Sequence, residues 1–184
     1  MRTFIAVEVP GEIKQKVREV QSALQRSGFS LRWVQPENMH LTLVFLGEVE
    51  GSLVSPLSEV LDEVTSRRQV FEIRIGGLGA FPNEKSPRVY WVGLLEGSSE
   101  LCALQKEIQD GVRRLNIPLE KGRFHPHLTL GRCRDNRAPG AIPGSLREAV
   151  LGTTKVCAVH LIRSQLGGSQ PVYSTLHSAQ MSQP

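Results

Sequence analysis

Long apolar runs, cysteine and aromatic residues are all scarce in this chain of 184 residues. No run of 18 apolar residues occurs, so the sequence predicts no transmembrane helix and no membrane partner. The first eight residues (MRTFIAVE) are too short and too acid-interrupted for a signal peptide, and instead favour a strand. The three cysteines are scattered and form no CxxC pair, which fits a reducing compartment. We therefore expect a cytoplasmic protein.

Aromatic residues make up only 5% of the chain, too few for a broad surface on which bases could stack. The net charge is +4 and the isoelectric point about 9.2, which favours a polyanionic partner without establishing one. An RNA end fits this composition better than a long strand does. Hydrophobic and charged contents are ordinary for a globular protein, and the length suits one domain.

One tetrapeptide occurs twice: residues 40–43 and 127–130 both read His-Leu-Thr-Leu. With 22 Leu and 7 Thr in the chain, a given His is followed by Leu-Thr-Leu by chance roughly once in 2,000. Two such events among five His are expected by accident roughly a few times in a million. The repeat therefore needs a structural or chemical cause.

Both copies lie in apolar runs, residues 39–46 and 127–130, that predict strands. Alternate side chains of a strand share a face. The His and Thr of each copy therefore point one way, and the two Leu point the other way into a core. At roughly 3.3–3.4 Å per residue, the imidazole and the hydroxyl lie about 7 Å apart. If the two strands face each other, two imidazoles and two hydroxyls converge on one cleft.

The order of predicted elements recurs along the chain, as expected for a diverged duplication. The two repeated His are 87 residues apart, and two similar segments, Pro87 to Tyr90 and Pro171 to Tyr173, begin 84 residues apart. Helices are predicted from hydrophobic period and caps, and strands fill the apolar runs between them. The predicted helices cover residues 10–26, 53–64, 98–115 and 146–150. The predicted strands cover residues 3–8, 31–34, 39–46, 70–75, 88–94, 127–130, 155–164 and 172–178, with a glycine-rich connection at 76–87.

The predicted fold is a single α+β domain over residues 1–184, built as two pseudo-symmetric lobes of approximately 1–94 and 95–178. Each lobe is an antiparallel sheet with helices on its outer face, and the lobes flank a central cleft. Strand exchange between the lobes is compatible with this pattern. Residues 179–184 form a tail, and a monomer is expected.

The repeated residues suit the opening of a cyclic phosphodiester by water. That reaction needs a base for the water, an acid for the leaving ribose oxygen and donors for the phosphoryl oxygens. Imidazole titrates near pH 6.5, so one His can be neutral while the other is protonated. His40 and His127 on opposite sides of one phosphorus match in-line phosphoryl transfer, and the Thr42 and Thr129 hydroxyls would donate to the non-bridging oxygens.

The motifs alone leave two questions. Because the copies are related by symmetry, the residues do not reveal which His is the acid. No carboxylate lies near either motif at ligand spacing, so neither a metal site nor a cofactor is expected.

The flanks of the repeat carry a family resemblance. Residues 33–48 (WVQPENMHLTLVFLGE), 78–94 (LGAFPNEKSPRVYWVGL) and 124–132 (FHPHLTLGR) resemble the two-histidine phosphoesterase superfamily. Within it they are most similar to the LigT-like RNA 2′,3′-cyclic phosphodiesterases, once described as 2′-5′ RNA ligases. The resemblance covers most of residues 1–178. It implies a bilobal α+β fold and metal-independent hydrolysis of a terminal 2′,3′-cyclic phosphate to a 2′-phosphate.

The resemblance also implies roles for individual residues. His40 would give a proton to the leaving 3′ oxygen, His127 would accept one from water, and Arg132 would contact the phosphate. Arg132 lies five residues after His127, so on a regular strand it would point away from the cleft, and the role requires a bend. By the same alternation Phe45, three residues after Thr42, is expected in the core, with contact to a base as the alternative.

Other residues allow two interpretations each. Lys121 and Arg123 either attract the RNA backbone or are solvated charges. His125 could share the face of His127 and support it, but Pro126 disturbs the strand between them. Phe124 could touch a base. Structural or surface roles are expected for Trp33, His160 and His177, and a turn for residues 76–79.

Three other functions stay open. The chain could hydrolyse a small cyclic phosphate, such as a cyclic nucleotide or an ADP-ribose cyclic phosphate. It could be a weak 2′-5′ RNA ligase, since ligation is the hydrolysis run backwards with a ribose hydroxyl in place of water. It could also be a non-catalytic RNA-binding protein, which undiminished RNA binding without turnover would indicate.

Overall fold

The computed structural model describes residues 1–134, 140–167 and 170–183. The α-helices of that part of the chain are α1 (Gly11–Arg26), α2 (Val54–Ser66), α3 (Ser98–Arg114) and α4 (Gly144–Arg147), and two short 3-10 helices cover Pro36–Asn38 and Gly51–Leu53. Its strands are β1 (Arg2–Glu8), β2 (Leu31–Trp33), β3 (His40–Glu48), β4 (Phe71–Phe81), β5 (Val89–Glu96), β6 (Leu128–Cys133), β7 (Val150–Val156), β8 (Ala158–Gly167) and β9 (Gln170–Gln180). In the described residues no helix combines the length and apolar character needed to span a membrane.

The strands form two antiparallel sheets, each holding one copy of the repeat. The first, which we call the His40 sheet, has the order β3-β1-β8-β9. The second, the His127 sheet, has the order β2-β6-β5-β4-β7. The predicted α+β class with two antiparallel sheets is confirmed. Each sheet takes strands from both segments predicted as lobes, 1–94 and 95–178, so strand exchange runs through the whole architecture.

Helix α1 buries the apolar face that its sequence period predicts and lies against the His127 sheet. The Gln21 side chain on that face donates from Nε2 to the carbonyl oxygens of Val34, at 2.8 Å, and Leu130, at 3.0 Å. This amide links α1 to the second copy of the repeat, whose Leu130 carbonyl also accepts from the Val34 backbone N–H at 3.0 Å. The buried apolar residues are Ile13, Val17, Val20 and Leu24.

Helices α2 and α3 cover the His40 sheet side by side. Helix α2 packs on β8 and β9, and α3 crosses α2 closely at Gly111. A Cβ at that glycine would lie 2.5 Å from Cγ1 of Val60, so only glycine allows the approach. The three long helices confirm the prediction. The short fourth helix is also present but covers residues 144–147 rather than 146–150, because Val150 already begins β7.

The two Leu of each copy are buried in the core shared by both sheets, as predicted. Leu41 and Leu43 are 1% and 3% exposed, and Leu128 and Leu130 are fully buried. On the other face of the His40 sheet a small separate apolar cluster is formed by Phe4, Ala6 and Ile162, with Tyr173 packed against it.

Strand β4 continues through the glycines that the sequence assigned to a turn and connection. The strand runs to Phe81, with register shifts between Ile75 and Leu78. Gly77 has a φ of +75° at this irregularity, and Gly79 lies under Trp91, where a Cβ would be 2.4 Å from the indole ring. Glycine here makes room inside a sheet, so the turn prediction is wrong.

The chain after the predicted second lobe also belongs to the fold. Of residues 179–184, predicted as a tail, the first two complete β9, and both Ala179 and Met181 are buried. Ser182 bridges to Gln69, and residue 184 lies outside the described residues. The two similar segments that end in Tyr90 and Tyr173 do not occupy equivalent positions in the fold. Tyr90 is buried in the main core, whereas Tyr173 packs on the small cluster.

Candidate active site

His40 begins β3 and is half-buried in an aromatic environment. Its ring stacks on Phe4 with centroids 4.5 Å apart, and Tyr173 meets it edge-on at 5.3 Å. Burial lowers the pKa of His40 to about 4. A hydrogen bond with the Asn38 backbone acts in the opposite direction, and the charge of Lys14 adds to the lowering. His40 is therefore neutral at pH 7 in the free protein.

His127 lies directly before β6 and is held by the backbone two residues earlier. Its Nδ1 lies 2.7 Å from the carbonyl oxygen of His125. Because a carbonyl only accepts, Nδ1 carries the proton and Nε2 has the free lone pair. Burial lowers the pKa of His127, the His125 carbonyl opposes this, and the charges of His125 and Arg132 lower it further. The neutral ring is thus ready to take a proton through Nε2.

The two histidines are set up in the same way. Each bonds to the backbone of the residue two places before it, and each is half-buried beside aromatic rings. The rings around His127 are Phe81, edge-on at 5.0 Å, and Trp91 at 6.4 Å. The internal symmetry of the sequence therefore extends to how the imidazoles are held.

Both repeat strands contain a β-bulge directly after the threonine. In β3, Thr42 pairs with Ala6 and Val44 with Ile5, which leaves Leu43 as the extra residue. In β6, Thr129 pairs with Trp91 and Gly131 with Tyr90, which leaves Leu130 as the extra residue. An extra residue reverses the alternation of faces beyond it.

The bulges bring Phe45 and Arg132 to the outer face shared by His and Thr. Their burial patterns agree, since the two residues after each threonine are buried and the third is exposed. The expectation that Phe45 lies in the core is wrong: its side chain is 58% exposed. The bend that Arg132 requires is present.

Arg132 connects the surroundings of the two histidines. Its charge lowers the pKa of His127, and it opposes the rise that burial causes in the pKa of Tyr173. Tyr173 in turn contacts His40 at 5.3 Å. Strands β3 and β6 also contact each other. The guanidinium therefore acts electrostatically on His127 and on Tyr173, a neighbour of His40.

Two cavities open beside the repeat strands. One of about 350 Å³ adjoins His40 and is lined also by Glu8, Lys14, Asn38 and Tyr173. The Nδ2 of Asn38 donates to the Pro171 carbonyl at 3.1 Å, which brings the end of the β8–β9 hairpin to this cavity.

The second cavity, of about 170 Å³, lies between the first repeat strand and the segment that leads into the second. On one side it is lined by residues 43–45 of the first repeat strand, and on another by residues 119–124, which lead into the second. Helix α3 supplies Gln105 and Gln109. The stretch of chain that precedes His127 thus lies against the strand that carries His40.

The remaining sequence candidates take the structural roles expected of them. Trp33 packs against the core, His160 bonds to the Ser178 hydroxyl at 2.9 Å, and His177 pairs with Asp62 at 2.8 Å. No group of three or more His, Cys, Asp or Glu able to hold a metal ion occurs within the described ranges.

The sequence missed three aromatic residues of the site. Tyr173 beside His40, and Phe81 and Trp91 beside His127, lie on strands far from the motifs in the chain. Tyr173 and Trp91 are in segments whose apolar pattern predicted strands, but a pattern does not say which strand will lie beside which. Only the strand order brings them to the histidines.

Comparison with known proteins identifies relatives along nearly the whole chain. Residues 7–91 match the family described as LigT like Phosphoesterase. The RNA 2′,3′-cyclic phosphodiesterase of Archaeoglobus fulgidus is 38% identical over 178 residues, covering 96% of this chain and 98% of that protein.

Solved structures share the fold. TT0787 of Thermus thermophilus superposes with a TM-score of 0.82 at 29% identity, covering 98% of each chain. E. coli LigT complexed with 3′-AMP also gives a TM-score of 0.82, at 25% identity, covering 99% of this chain and 98% of that chain.

Proposed function

Because this chain belongs to the LigT-like phosphoesterase family, we propose that it is an RNA 2′,3′-cyclic phosphodiesterase. One observation carries the proposal. Each sheet holds one His-Leu-Thr-Leu strand, burial lowers the pKa of both histidines, and the charge of Arg132 acts on His127 and on Tyr173 beside His40. The relative that is complexed with 3′-AMP carries a ribose phosphate, which supports a nucleotide phosphate as the occupant.

The reaction opens the cyclic phosphate in one displacement. Nε2 of His127 takes a proton from water, and the water oxygen forms a bond to phosphorus. The bond from phosphorus to the 3′ oxygen breaks, and that oxygen takes a proton from His40. The products are a 2′-phosphate and a 3′-hydroxyl. Attack and departure in line place the two imidazoles on opposite sides of the phosphorus.

The polar groups on the same face stabilise the phosphoryl oxygens. The Thr42 and Thr129 hydroxyls donate to the non-bridging oxygens, and the Arg132 guanidinium neutralises their charge. These contacts act on charge that grows in the transition state, so they lower the barrier more than they strengthen substrate binding.

The donor role requires that substrate change the charge of His40. Its pKa of about 4 in the free protein leaves the ring neutral at pH 7. A bound phosphate anion favours the charged form of a nearby imidazole, and the stacked face of Phe4 supports a cation. Substrate binding therefore loads the proton that the leaving oxygen later takes.

We propose also that the chain works as a monomer, without a metal ion, in the cytoplasm. Both histidines come from one chain, which supports a monomer. The mechanism gives every proton transfer to a side chain, which supports a reaction without a metal ion. Cys102, Cys133 and Cys157 are all free thiols, which supports a reducing compartment.

The test uses an RNA oligonucleotide with a 2′,3′-cyclic end, incubated with the full chain in the presence of EDTA. We expect hydrolysis that EDTA does not slow and a product that keeps its phosphate on the 2′ oxygen. A 3′-phosphate product would overturn the acid and base assignment. Tight RNA binding without turnover would favour a binding protein, and faster turnover of a cyclic mononucleotide than of the oligonucleotide would favour a small substrate.

A further inference from the structure

A third imidazole lies beside His127. His125 is exposed, and its ring centroid is 6.3 Å from that of His127. The residue between them, Pro126, is buried, so the alternation of faces already holds before β6 begins and both imidazoles lie on one side. The proline that the sequence predicts to disturb the strand therefore does not turn His125 away from the face of His127.

Two aromatic rings fix the separation of these imidazoles. Trp91 packs against His125 at 4.7 Å, and Phe81 meets it edge-on at 5.4 Å. The same two rings contact His127, Phe81 at 5.0 Å and Trp91 at 6.4 Å. Because strands β4 and β5 carry Phe81 and Trp91, the side chain of an otherwise exposed residue is held against a sheet. His125 therefore has a defined place relative to His127.

The backbone of His125 orients the ring of His127. The carbonyl oxygen of His125 lies 2.7 Å from Nδ1 of His127, and this contact leaves Nε2 free. The residue before a proline is restricted to extended backbone, so Pro126 limits the directions in which this carbonyl can point. One residue thus supplies both the acceptor for Nδ1 and a second imidazole on the same side.

Charge distinguishes His125 from the other neighbours of His127. The charged groups that act on His127 are His125, from the segment before β6, and Arg132, on β6 itself. The rings that pack on it from β4 and β5, Phe81 and Trp91, carry no charge. The guanidinium stays charged over the whole working pH range, whereas an exposed imidazole gains its charge in mildly acidic solution. Of these two groups, His125 is the one whose charge depends on pH.

The proposed reaction gives a positive charge at this place a use. A bound phosphate anion favours the charged form of a nearby imidazole, but His127 must stay neutral until it takes a proton from water. A charge on His125 opposes the early protonation of His127, because two positive charges at this separation repel each other.

We infer that His125 is a positioning residue for the proposed general base: its carbonyl orients the ring of His127, and its charged imidazole keeps that ring free of a proton while the phosphate binds. This inference rests on the proposed function and adds a third histidine to the site. His125 acts through His127 and needs no contact with the reacting atoms.

NMR titration of the imidazole resonances of the full chain tests the charge effect directly. Two unit charges 6.3 Å apart and largely screened by water shift a pKa by about 0.5–1 pH unit. His125→Gln should therefore raise the measured pKa of His127 by that amount, whereas His125→Lys, which keeps a cation, should not raise it. His177→Gln is the matched control, because it removes an imidazole that pairs with Asp62, and the pKa of His127 should not change.

Kinetics on an RNA 2′,3′-cyclic end measure whether the charge effect reaches the reaction. We expect His125→Gln to lower kcat about three- to tenfold at pH 5, in proportion to the change in the pKa of His127. At pH 8, where His127 is neutral in both proteins, kcat should stay within about twofold of the original. Both variants keep the backbone carbonyl, so the Nδ1-protonated tautomer of His127, identified by its nitrogen chemical shifts, should stay the same.

A pKa of His127 that does not rise in His125→Gln, or that rises equally in His125→Lys, would overturn the inference. Equal losses of kcat at both pH values would also overturn it, since a purely structural role gives that result. None of these results removes the phosphodiesterase activity of the original chain. If the original chain does not turn over the RNA end, the proposed function fails instead, and the NMR titration still decides the charge effect.

Discussion

At the residue scale, burial is the main influence on the two histidines. It lowers both pKa values, and for His40 it lowers the pKa to about 4. The backbone carbonyl held by Nδ1 of His127 opposes this and fixes the tautomer. An imidazole that is neutral when the site is empty and charged when a phosphate is bound can act as an acid only on its own substrate.

The buried His40 predicts a pH-dependent stability. An unfolded His40 takes up a proton below pH 6.5, whereas the folded one does so only near pH 4. Between these values the unfolded chain binds more protons, so the free energy of unfolding falls as the pH falls, by up to about 3 kcal/mol at pH 4. His40→Asn removes this contribution.

Urea unfolding of the original chain and of His40→Asn at pH 7 and pH 4.5 measures the effect. We expect the original chain to lose about 2–3 kcal/mol more than the variant between the two pH values. Equal losses would mean that His40 titrates normally in the folded protein. The substrate-driven protonation of His40 would then be unnecessary.

At the element scale, the repeated strands are predictable in their first four residues and not beyond. The Leu residues are buried as alternation requires. The bulge after each threonine then reverses the faces. A bulge depends on how one strand pairs with its neighbour, and this pairing cannot be predicted from the residues of the strand alone. Phe45 was misplaced for this reason.

Helices were predicted more closely than strands. An amphipathic period repeats over four turns in α1, so a few ambiguous residues do not hide it. Strand β4 contains Gly76, Gly77 and Gly79, which alone indicate a turn. They sit in a strand because neighbouring groups fill the space that the missing side chains leave, Trp91 at Gly79 and Leu95 with the Ala149 carbonyl at Gly76.

A substitution at Gly79 tests how closely β4 packs against Trp91. In Gly79→Ala the new Cβ would lie 2.4 Å from the Trp91 indole, so the ring must shift. Such overpacking costs about 1–3 kcal/mol. Because Trp91 packs against His125 at 4.7 Å and His127 at 6.4 Å, kcat should fall as well.

Thermal unfolding and kinetics on the cyclic RNA end measure both effects. Gly51→Ala is the matched control, since no atom lies within 4 Å of a Cβ at that position, and its stability should stay within about 0.5 kcal/mol. A Gly79→Ala protein with unchanged stability and activity would show that Trp91 does not hold the His127 side of the site.

At the scale of the whole molecule, the two halves of the chain are interleaved rather than folded as separate lobes. Exchange of strands puts residues of both halves into each sheet, and each sheet contributes one repeat. The sequence supported the duplication and the α+β class. It could not place Tyr173 beside His40, because among the described strands β9 pairs with β8 alone and reaches the site from the other end of the chain.

The central claim is that His40 and His127 act together on one phosphorus, and a double-mutant cycle tests it most directly. Single-turnover rates on an RNA 2′,3′-cyclic end are measured for His40→Ala, His127→Ala and the double variant. Each single change should lower the rate by at least about 100-fold, and the double variant should lose little more than either, because groups that act as a unit are not additive. Losses that multiply, or a single variant with near-normal turnover, would contradict the claim.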